Sequence, residues 1–289
     1  MKIAVFGQAY KTESLNYILN LLDFLNTKVC DIFLVQDVSD LIKDKTTVRF
    51  QTFKPKEALT QKIDYLISVG GDGTILRAAA IIKDSNIPII GINTGRLGFL
   101  ATINKEDMLV AIDELLKGNY RISKRSLLEV NTKNNELEKG YALNEISVSG
   151  KNTMSMININ TYLNDKYLNT YWADGLIIAT PTGSTGYSLS CNGPIITPEV
   201  QALSITPIAP HNLSIRPLII KDDTLIKLKI ESREKEFLLS MDARVATLQT
   251  KAEVNIKKAN FQLQMVELNN QSFIKTLREK LLWGNDTRN

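Results

Sequence analysis

Four stretches of the sequence combine residue types that could do chemistry, and the first contains one ionisable side chain. It is "GGDGT" at 70–74, which follows the apolar run "IDYLISV" and precedes the helical pattern "TILRAAAIIK". In an open α/β sheet, ligands bind at such strand-to-helix turns, and glycines there let a ligand approach the backbone closely. Asp72 could therefore shape the turn, hold a metal or accept a proton.

Free N–H groups at the start of the following helix favour an anion such as phosphate, which the Asp72 carboxylate would repel. A bridging Mg²⁺ resolves this conflict, and so does a hydroxyl whose proton Asp72 accepts during phosphoryl transfer. Both arrangements favour a kinase. The glycine spacing fits neither G-x-x-x-x-G-K-[ST] nor G-x-G-x-x-G. The alternative is a glycine-rich turn in which Asp72 only caps the helix.

The second stretch is rich in hydroxyl groups. "DGLIIATPTGSTGYSLS" at 174–190 ends a strand in a loop with threonines, serines, two glycines and Tyr187. Hydroxyls and backbone N–H groups without a basic residue suit a polar ligand such as a nucleotide, with a base stacked on Tyr187. An ordinary hairpin loop made of turn residues remains the alternative.

Two further stretches place polar residues at strand ends or inside a strand. "NTGRLGFLAT" at 93–102 follows the strand "IPIIGI", so we expect it beside "GGDGT" at the same edge of the sheet. Arg96 in this stretch could contact phosphate, or it could be an ordinary surface arginine. In "ALNEISV", Asn144 and Glu145 interrupt an apolar strand, which indicates either a binding site or a sheet edge.

The hydrophobic periodicity, which indicates the strands and helices that must position these residues, changes near residue 120. Before it, continuous apolar strands alternate with helical patterns, which predicts a mostly parallel sheet covered by helices. After it, short strand-like runs dominate up to about residue 270. We therefore predict an α/β domain at 1–120, a β-rich domain at 121–270, and a C-terminal helix at 271–289 that docks on the first domain.

Composition indicates a cytoplasmic protein whose mild positive charge reflects a solvated surface, with small anionic ligands as the alternative. The 289 residues include no apolar run near the roughly 20 residues that span a bilayer, and Cys30 and Cys191 offer no disulfide framework. The formal charge of +4 is spread along the chain, so we expect neither nucleic acid nor membrane as a partner. His211 is the only histidine, which argues against a His/Cys metal site or a Ser-His-Asp triad.

Together and in this order, the four stretches resemble the NAD kinase family. "GGDGT" alone also resembles turns of diacylglycerol and sphingosine kinases and of 6-phosphofructokinases. "NE" at 144–145 followed by "ADGLIIATPTGSTGYSLSCNGPI" at 173–195 separates the NAD kinases from these enzymes. "NTGRLGFLA" at 93–101 and "ITPIAPHNLSIRPLI" at 205–219 match as well. The resemblance therefore spans most of the chain.

The resemblance implies both an architecture and a reaction. The family has an α/β N-terminal domain, a β-rich C-terminal domain and a final helix that returns to the first domain. Its members transfer the terminal phosphoryl group of ATP to the 2′-hydroxyl of the adenosine ribose of NAD, with Mg²⁺ or another divalent ion, and produce NADP. The resemblance also implies a homo-oligomer, either a dimer or a tetramer.

The resemblance further implies roles for individual residues. Asp72 is the catalytic residue, as general base or orienting group for the hydroxyl, while the metal ligands and ATP-binding residues stay unassigned. Arginine and aspartate candidates for phosphate or ligand contact are Arg77, Arg96, Arg216 and Asp242. Residues implied to bind NAD are Gly71, Gly73, Phe99, Asn144, Glu145, Asp174, Thr185, Gly186, Tyr187 and Ser190.

One departure from the family pattern concerns Asp242. The family often has glycine after this aspartate, whereas Ala243 and Arg244 follow it here, which leaves its role open. Two other functions also stay open: a lipid kinase of the diacylglycerol type, and a catalytically silent dinucleotide sensor. The intact Asp72 and the Asn144–Glu145 pair argue against the sensor.

Overall fold

The structure is a computed structural model that describes residues 1–7, 12–54, 62–133, 137, 139–152 and 156–284. The chain forms two compact units. Unit 1 contains Met1–Lys124 and Leu263–Asn289, and unit 2 contains Arg125–Gln262. None of the helices among the described residues is long and apolar enough to cross a membrane.

Strands and helices alternate in the first part of unit 1, as predicted. The last helix of this part is followed by Gly118, whose left-handed φ of 81° terminates the helix. The elements are β1 (Lys2–Gly7), α1 (Thr12–Thr27), β2 (Asp31–Val35), α2 (Gln36–Ile42), β3 (Gln51–Phe53), β4 (Tyr65–Gly70), α3 (Asp72–Ile82), β5 (Ile89–Asn93), β6 (Ile103–Asn104), a 3₁₀ turn (Lys105–Asp107) and α4 (Met108–Lys117).

The sheet of unit 1 is parallel, which confirms the prediction made from its continuous apolar strands. Its strand order is β5-β4-β1-β2-β3, with β6 also paired to β5. Leu66, Ile67 and Val69 of β4 are fully buried, as expected for a strand covered on both faces. Gly70 pairs with Asn93, so "GGDGT" and "NTGRLGFLA" begin at the same carboxyl edge.

Unit 2 is made almost entirely of strands, as predicted. A short 3₁₀ turn (Thr182–Thr185) and one-turn helix interrupt them in the hydroxyl-rich loop. The elements are β7 (Tyr120–Thr132, entering from unit 1), β8 (Gly140–Ala142), β9 (Glu145–Gly150), β10 (Ile157–Leu163), β11 (Lys166–Ala173), β12 (Gly175–Ala179), α5 (Tyr187–Ser190), β13 (Ala202–Ile208), β14 (Leu218–Lys221), β15 (Ile226–Glu231), β16 (Glu236–Met241) and β17 (Arg244–Gln249).

The strands of unit 2 pair antiparallel. One sheet has the order β14-β13-β12-β9-β16-β17, and β11, β10 and β15 form a second series. The turn between β10 and β11 is a two-residue hairpin turn, with Asn164 and Asp165 at φ 48° and 63°. Apolar side chains from both series, such as Ile178, Leu228 and Phe237, share one buried cluster.

The chain returns to unit 1 through β18 (Glu253–Leu268) and ends the described structure with α6 (Phe273–Leu281). The N-terminal half of β18 pairs with β15 in unit 2, and Met265 pairs with Ile89 of β5 in unit 1. Ser272 caps α6 by accepting a hydrogen bond from the Lys275 N–H. The helix buries Leu277, whereas Ile274 points away and is 59% exposed.

Candidate functional site

Asp72 is the first residue of α3, but it does not cap the helix. The N-cap is Gly71, which makes no side-chain capping bond; its carbonyl accepts a hydrogen bond from the Thr74 N–H at 2.8 Å. The capping alternative for Asp72 is therefore wrong. Its carboxylate points instead to the loop that follows β5.

The Asp72 carboxylate accepts three hydrogen bonds from consecutive backbone N–H groups. Oδ2 accepts from Phe99 at 2.8 Å, and Oδ1 accepts from Leu100 at 3.1 Å and Ala101 at 2.9 Å. A carboxylate oxygen can accept about two such bonds. N–H groups of the loop thus occupy both acceptor positions of Oδ1, while one acceptor position of Oδ2 stays open.

Two glycines make this arrangement sterically possible. A Cβ atom on Gly98 would lie 1.8 Å from Oδ1 of Asp72, and one on Gly70 would lie 2.1 Å from the Thr74 hydroxyl. Gly71 and Gly73 differ, because a Cβ atom on either would meet no atom within 4 Å. The glycines at 71 and 73 are therefore not required by packing within the protein.

The carboxyl end of β5 presents a buried amide beside this turn. Asn93 is 1% exposed; its Oδ1 accepts from the Gly95 N–H at 3.0 Å, and its Nδ2 has no partner among the described residues. A buried donor without a partner is unusual in a folded protein and points to a missing ligand or water. Arg77 and Arg96 are both exposed, so neither is fixed by packing.

In unit 2, the backbone of Asn144 and Glu145 is held from both sides. The Thr180 hydroxyl donates to the Leu143 carbonyl at 2.6 Å, and the Thr180 N–H donates to the Asn144 carbonyl at 2.9 Å. On the other side, the Asp242 carboxylate accepts from the N–H groups of residues 143–145. A Cβ atom on Gly183 would lie 2.0 Å from the Asn144 carbonyl oxygen.

The side chains of this pair present buried atoms without partners. Oδ1 of Asn144 and Oε2 of Glu145 are buried and accept no hydrogen bond from the described residues. The pKa of Glu145 is raised to about 7, first by burial and second by the nearby Asp242 charge, while the Tyr187 backbone N–H partly opposes both effects. Glu145 therefore holds a proton for part of the time at neutral pH and can donate as well as accept.

The hydroxyl groups of the loop fall into two sets: buried ones that hydrogen-bond within the protein, and exposed ones. Thr180, Ser184 and Ser188 are fully buried; Ser184 Oγ accepts from the Ile196 N–H at 3.0 Å, and Ser188 Oγ lies 3.0 Å from the Thr206 hydroxyl. Tyr187 and Ser190 are exposed. The loop is thus fixed by its buried hydroxyls, while Tyr187 and Ser190 present their hydroxyls at the surface.

The remaining predicted residues differ in how firmly they are placed. Thr185 is half-buried and donates to the Thr182 carbonyl at 3.2 Å, and Gly186 lies against Glu145, with a hypothetical Cβ 3.0 Å from Oε2. Asp174 is exposed, and its backbone is fixed by bonds to Ile208 and Gly150. Arg216 is exposed but donates from Nη1 to two carbonyls of its own turn.

Comparison with known proteins agrees with this distribution of motifs. Residues 3–120 match the model of the ATP-NAD kinase N-terminal domain, and residues 143–268 match that of the ATP-NAD kinase C-terminal domain. The chain belongs to the NAD kinase family. The two matches together cover every candidate residue named above, so the four stretches are parts of one family pattern.

Full-length relatives include several proteins named NAD kinase. The one from Christiangramia forsetii is 51% identical and the one from Flavobacterium johnsoniae 48% identical, each over 100% of both chains. The Bacteroides fragilis NAD kinase is 40% identical, again over 100% of both chains.

The structure of this chain is also similar to solved structures of NAD and NADH kinases. Yeast NADH kinase, solved with NADH, has a TM-score of 0.91 at 24% identity and covers 100% of this chain and 89% of its own. The NAD kinase from Archaeoglobus fulgidus, solved with ATP, has a TM-score of 0.77 at 24% identity and covers 98% of this chain and 99% of its own. At this identity the likeness establishes the two-domain fold.

Sequence reasoning missed several residues that shape the site. It singled out the hydroxyls at 180, 184 and 188 only as members of a polar loop, whereas the structure gives them partners within unit 2. It also missed Gly98 as the residue that leaves room for Asp72. A glycine within "GRLG" gives no local sign of this, because its close neighbour lies 26 positions earlier in the chain.

Proposed function

We propose that this chain transfers the terminal phosphoryl group of ATP to the 2′-hydroxyl of the adenosine ribose of NAD, producing NADP. The observation that supports this best is the geometry of Asp72: two loop N–H groups occupy its Oδ1, while Oδ2 accepts only one hydrogen bond from the residues that the structure describes. Oδ2 is the atom we assign to accept the proton of the attacking hydroxyl.

Asn144 and Glu145 are proposed to bind ribose hydroxyls. A hydroxyl both donates and accepts, and these two side chains offer buried oxygen atoms that have no partner in the described part of the chain. Glu145, with its pKa near 7, can serve either as acceptor or as donor. Tyr187, Thr185, Gly186, Ser190 and Asp174 are proposed to line the rest of the dinucleotide pocket.

Gly71, Gly73 and Phe99 are proposed to contact the ligand near Asp72. A Cβ atom at either glycine would meet no atom of the described residues within 4 Å, so room for a ligand explains the absence of a side chain. Arg77, Arg96 and Arg216 stay candidates for phosphate contact, since each has an exposed guanidinium group.

A divalent ion, Mg²⁺, is proposed to enter with ATP. Mg²⁺ prefers oxygen ligands, retains water and commonly bridges nucleotide phosphates. Among the described residues there is no cluster of three or more His, Cys, Asp or Glu side chains that could hold a metal by itself. The ion would neutralise charge on the phosphates, and no step is assigned to a protein-bound metal.

We also propose a cytoplasmic homo-oligomer, a dimer or tetramer. Both cysteines are free in the structure, which suits a reducing compartment. Light scattering after size-exclusion chromatography measures the oligomer directly, and a mass near 32.4 kDa would show a monomer instead.

The reaction is tested by incubating the purified chain with ATP and Mg²⁺ and either NAD or diacylglycerol. We expect NADP in the first mixture and no phosphorylated lipid in the second. Phosphorus NMR of the product distinguishes a 2′-phosphate from phosphate at any other hydroxyl. Tight NAD binding without product, with every nucleotide donor tried, would favour the sensor and contradict the proposal.

A further inference from the structure

The turn between β16 and β17 places an aspartate in an uncommon backbone conformation. Met241 pairs with Arg244, which leaves Asp242 and Ala243 as the two turn residues. Asp242 has a φ of 51°, in the left-handed region that aspartate tolerates better than most residues. Ala243 is not among the residues with positive φ, so a glycine is not required at that position.

The turn is locked to the start of β9. The Asp242 N–H donates to the Glu145 carbonyl at 3.1 Å, and the Ser240 hydroxyl donates to the Asp242 carbonyl at 3.0 Å. The adjacent ladder pairs Met241 with Ile146. Residues 143–145 therefore lie at the end of the ladder, where their N–H groups need another acceptor.

The Asp242 carboxylate supplies that acceptor for all three residues. Oδ2 accepts from the Leu143 N–H at 2.8 Å, and Oδ1 accepts from Asn144 at 2.9 Å and Glu145 at 3.2 Å. Three charge-assisted hydrogen bonds to consecutive N–H groups leave the backbone few alternatives. The arrangement repeats, in unit 2, the one that Asp72 makes with residues 99–101 in unit 1.

We infer that Asp242 is a positioning residue for the Asn144–Glu145 pair and contacts no substrate itself. The inference rests on the proposed binding of ribose hydroxyls by that pair. Thr180 fixes the carbonyl side of the segment, where Gly183 leaves room for the Asn144 carbonyl, and Asp242 fixes the N–H side. The Asn144 and Glu145 side chains therefore start from a rigid backbone. This defines the direction in which their unpartnered oxygens point.

Asp242 also acts on Glu145 through its charge. The groups that face Glu145 are the Asp242 carboxylate and the Tyr187 backbone N–H and phenol, while Arg244 lies near Asp242 and donates to the Tyr141 carbonyl. After burial, the Asp242 charge is the second cause that raises the pKa of Glu145. Removing this charge should therefore make Glu145 ionise at a lower pH.

The test compares Asp242→Asn with the wild-type chain in steady-state assays with NAD and ATP. Asparagine tolerates positive φ and keeps one oxygen acceptor, so the variant should fold. We expect KM for NAD to rise about tenfold or more with a smaller change in kcat, because positioning affects binding first. The pH profile of kcat/KM for NAD should shift to lower pH.

Asp165→Asn is the matched control. Asp165 also lies in a two-residue hairpin turn of unit 2 with positive φ, but its carboxylate is exposed and contacts Nζ of the half-buried Lys227 at 2.5 Å. It should keep the wild-type KM and pH profile. Asp242→Glu retains the charge but not the side-chain length, so it should raise KM and leave the pH profile in place.

A double-mutant cycle separates positioning from direct contact. If Asp242 acts through Glu145, Asp242→Asn should no longer shift the pH profile in a Glu145→Gln background, and its effect on KM should shrink. Additive effects, or a wild-type KM and pH profile in Asp242→Asn, would overturn the inference. If instead the proposed function itself is wrong, the wild-type chain will form no NADP at all, which distinguishes the two outcomes.

Discussion

Gly98 leaves the space that the Asp72 carboxylate occupies: a Cβ atom on Gly98 would lie 1.8 Å from Oδ1 and 2.5 Å from Cγ of Asp72. No rotation of a methyl group relieves such an overlap, so either the carboxylate or the loop must move. The three bonds from Phe99, Leu100 and Ala101 would then be broken or stretched. The orientation of Asp72 thus depends on the absence of a side chain at residue 98.

Gly98→Ala should therefore lose most activity without unfolding the chain. We expect kcat with NAD and ATP to fall about 100-fold, since a misplaced catalytic group commonly costs this much. Gly95→Ala is the matched control in the same loop, because its Cβ would lie 4.0 Å from Oδ1 of Asn93. Equal activities of the two variants would show that the position of Asp72 does not limit turnover.

Gly73→Ala tests whether the glycines of "GGDGT" make room for a ligand. Position 73 lies in α3 and a Cβ atom there meets nothing, so the free energy of unfolding should stay constant or rise by up to about 1 kcal/mol. If a ligand approaches the backbone here, its affinity should fall at least about tenfold. Calorimetric titration with NAD and with ATP, beside urea unfolding, checks both parts; unchanged affinity for both ligands would contradict the assigned role.

Glu145→Gln should change how stability depends on pH. The pKa of Glu145 is raised in the folded state from 4.5 to about 7, so the folded state holds a proton that the unfolded state releases. The wild-type chain therefore loses stability as pH rises from about 4.5 to 7, by roughly 3 kcal/mol. Glutamine does not ionise, so the variant should gain relative stability across this range.

Urea unfolding of both chains at pH 5 and pH 8 measures this difference. The free energy of unfolding of Glu145→Gln minus that of the wild type should be larger at pH 8 than at pH 5. A difference that stays constant, or that grows toward acid, would show that Glu145 is not buried with a raised pKa. Activity should fall in the variant at both pH values.

Ser184→Ala and Ser190→Ala compare a buried hydroxyl that holds the loop with an exposed hydroxyl that can contact a ligand. Ser184 is fully buried and bonds with the backbone of Pro181 and Ile196, so its loss should lower the free energy of unfolding by about 1–3 kcal/mol. Ser190 is exposed, so its variant should keep stability but raise KM for NAD. Thermal unfolding and steady-state kinetics on the same samples decide this, and the reverse pattern would contradict it.

Local pattern was enough to predict the framework of the site. Continuous apolar strands ending in "GG" and "NTG" predicted a parallel sheet with both motifs at one edge, and Gly70 does pair with Asn93. The elements that were missed in the first part of unit 1 are short. α2 has seven residues and β3 has three, which is too few for a reliable periodicity.

Contacts distant in sequence could not be predicted in this way. Asp242 bonds to N–H groups 97 to 99 positions away, and Asp72 to groups 27 to 29 positions away. Only the folded backbone brings these groups together, and a single sequence contains no record of their pairing. The same limit applies to the division of the hydroxyls into buried and exposed ones.

The most direct test of the account is the turnover of Asp72→Asn with NAD and ATP, beside its affinity for NAD. Asparagine keeps an oxygen for the Leu100 and Ala101 N–H groups but replaces the proton-accepting Oδ2 by an amide nitrogen. We predict that kcat falls at least about 100-fold, while the dissociation constant for NAD changes less than about threefold. NADP formation at a rate close to that of the wild type would contradict the role of Asp72.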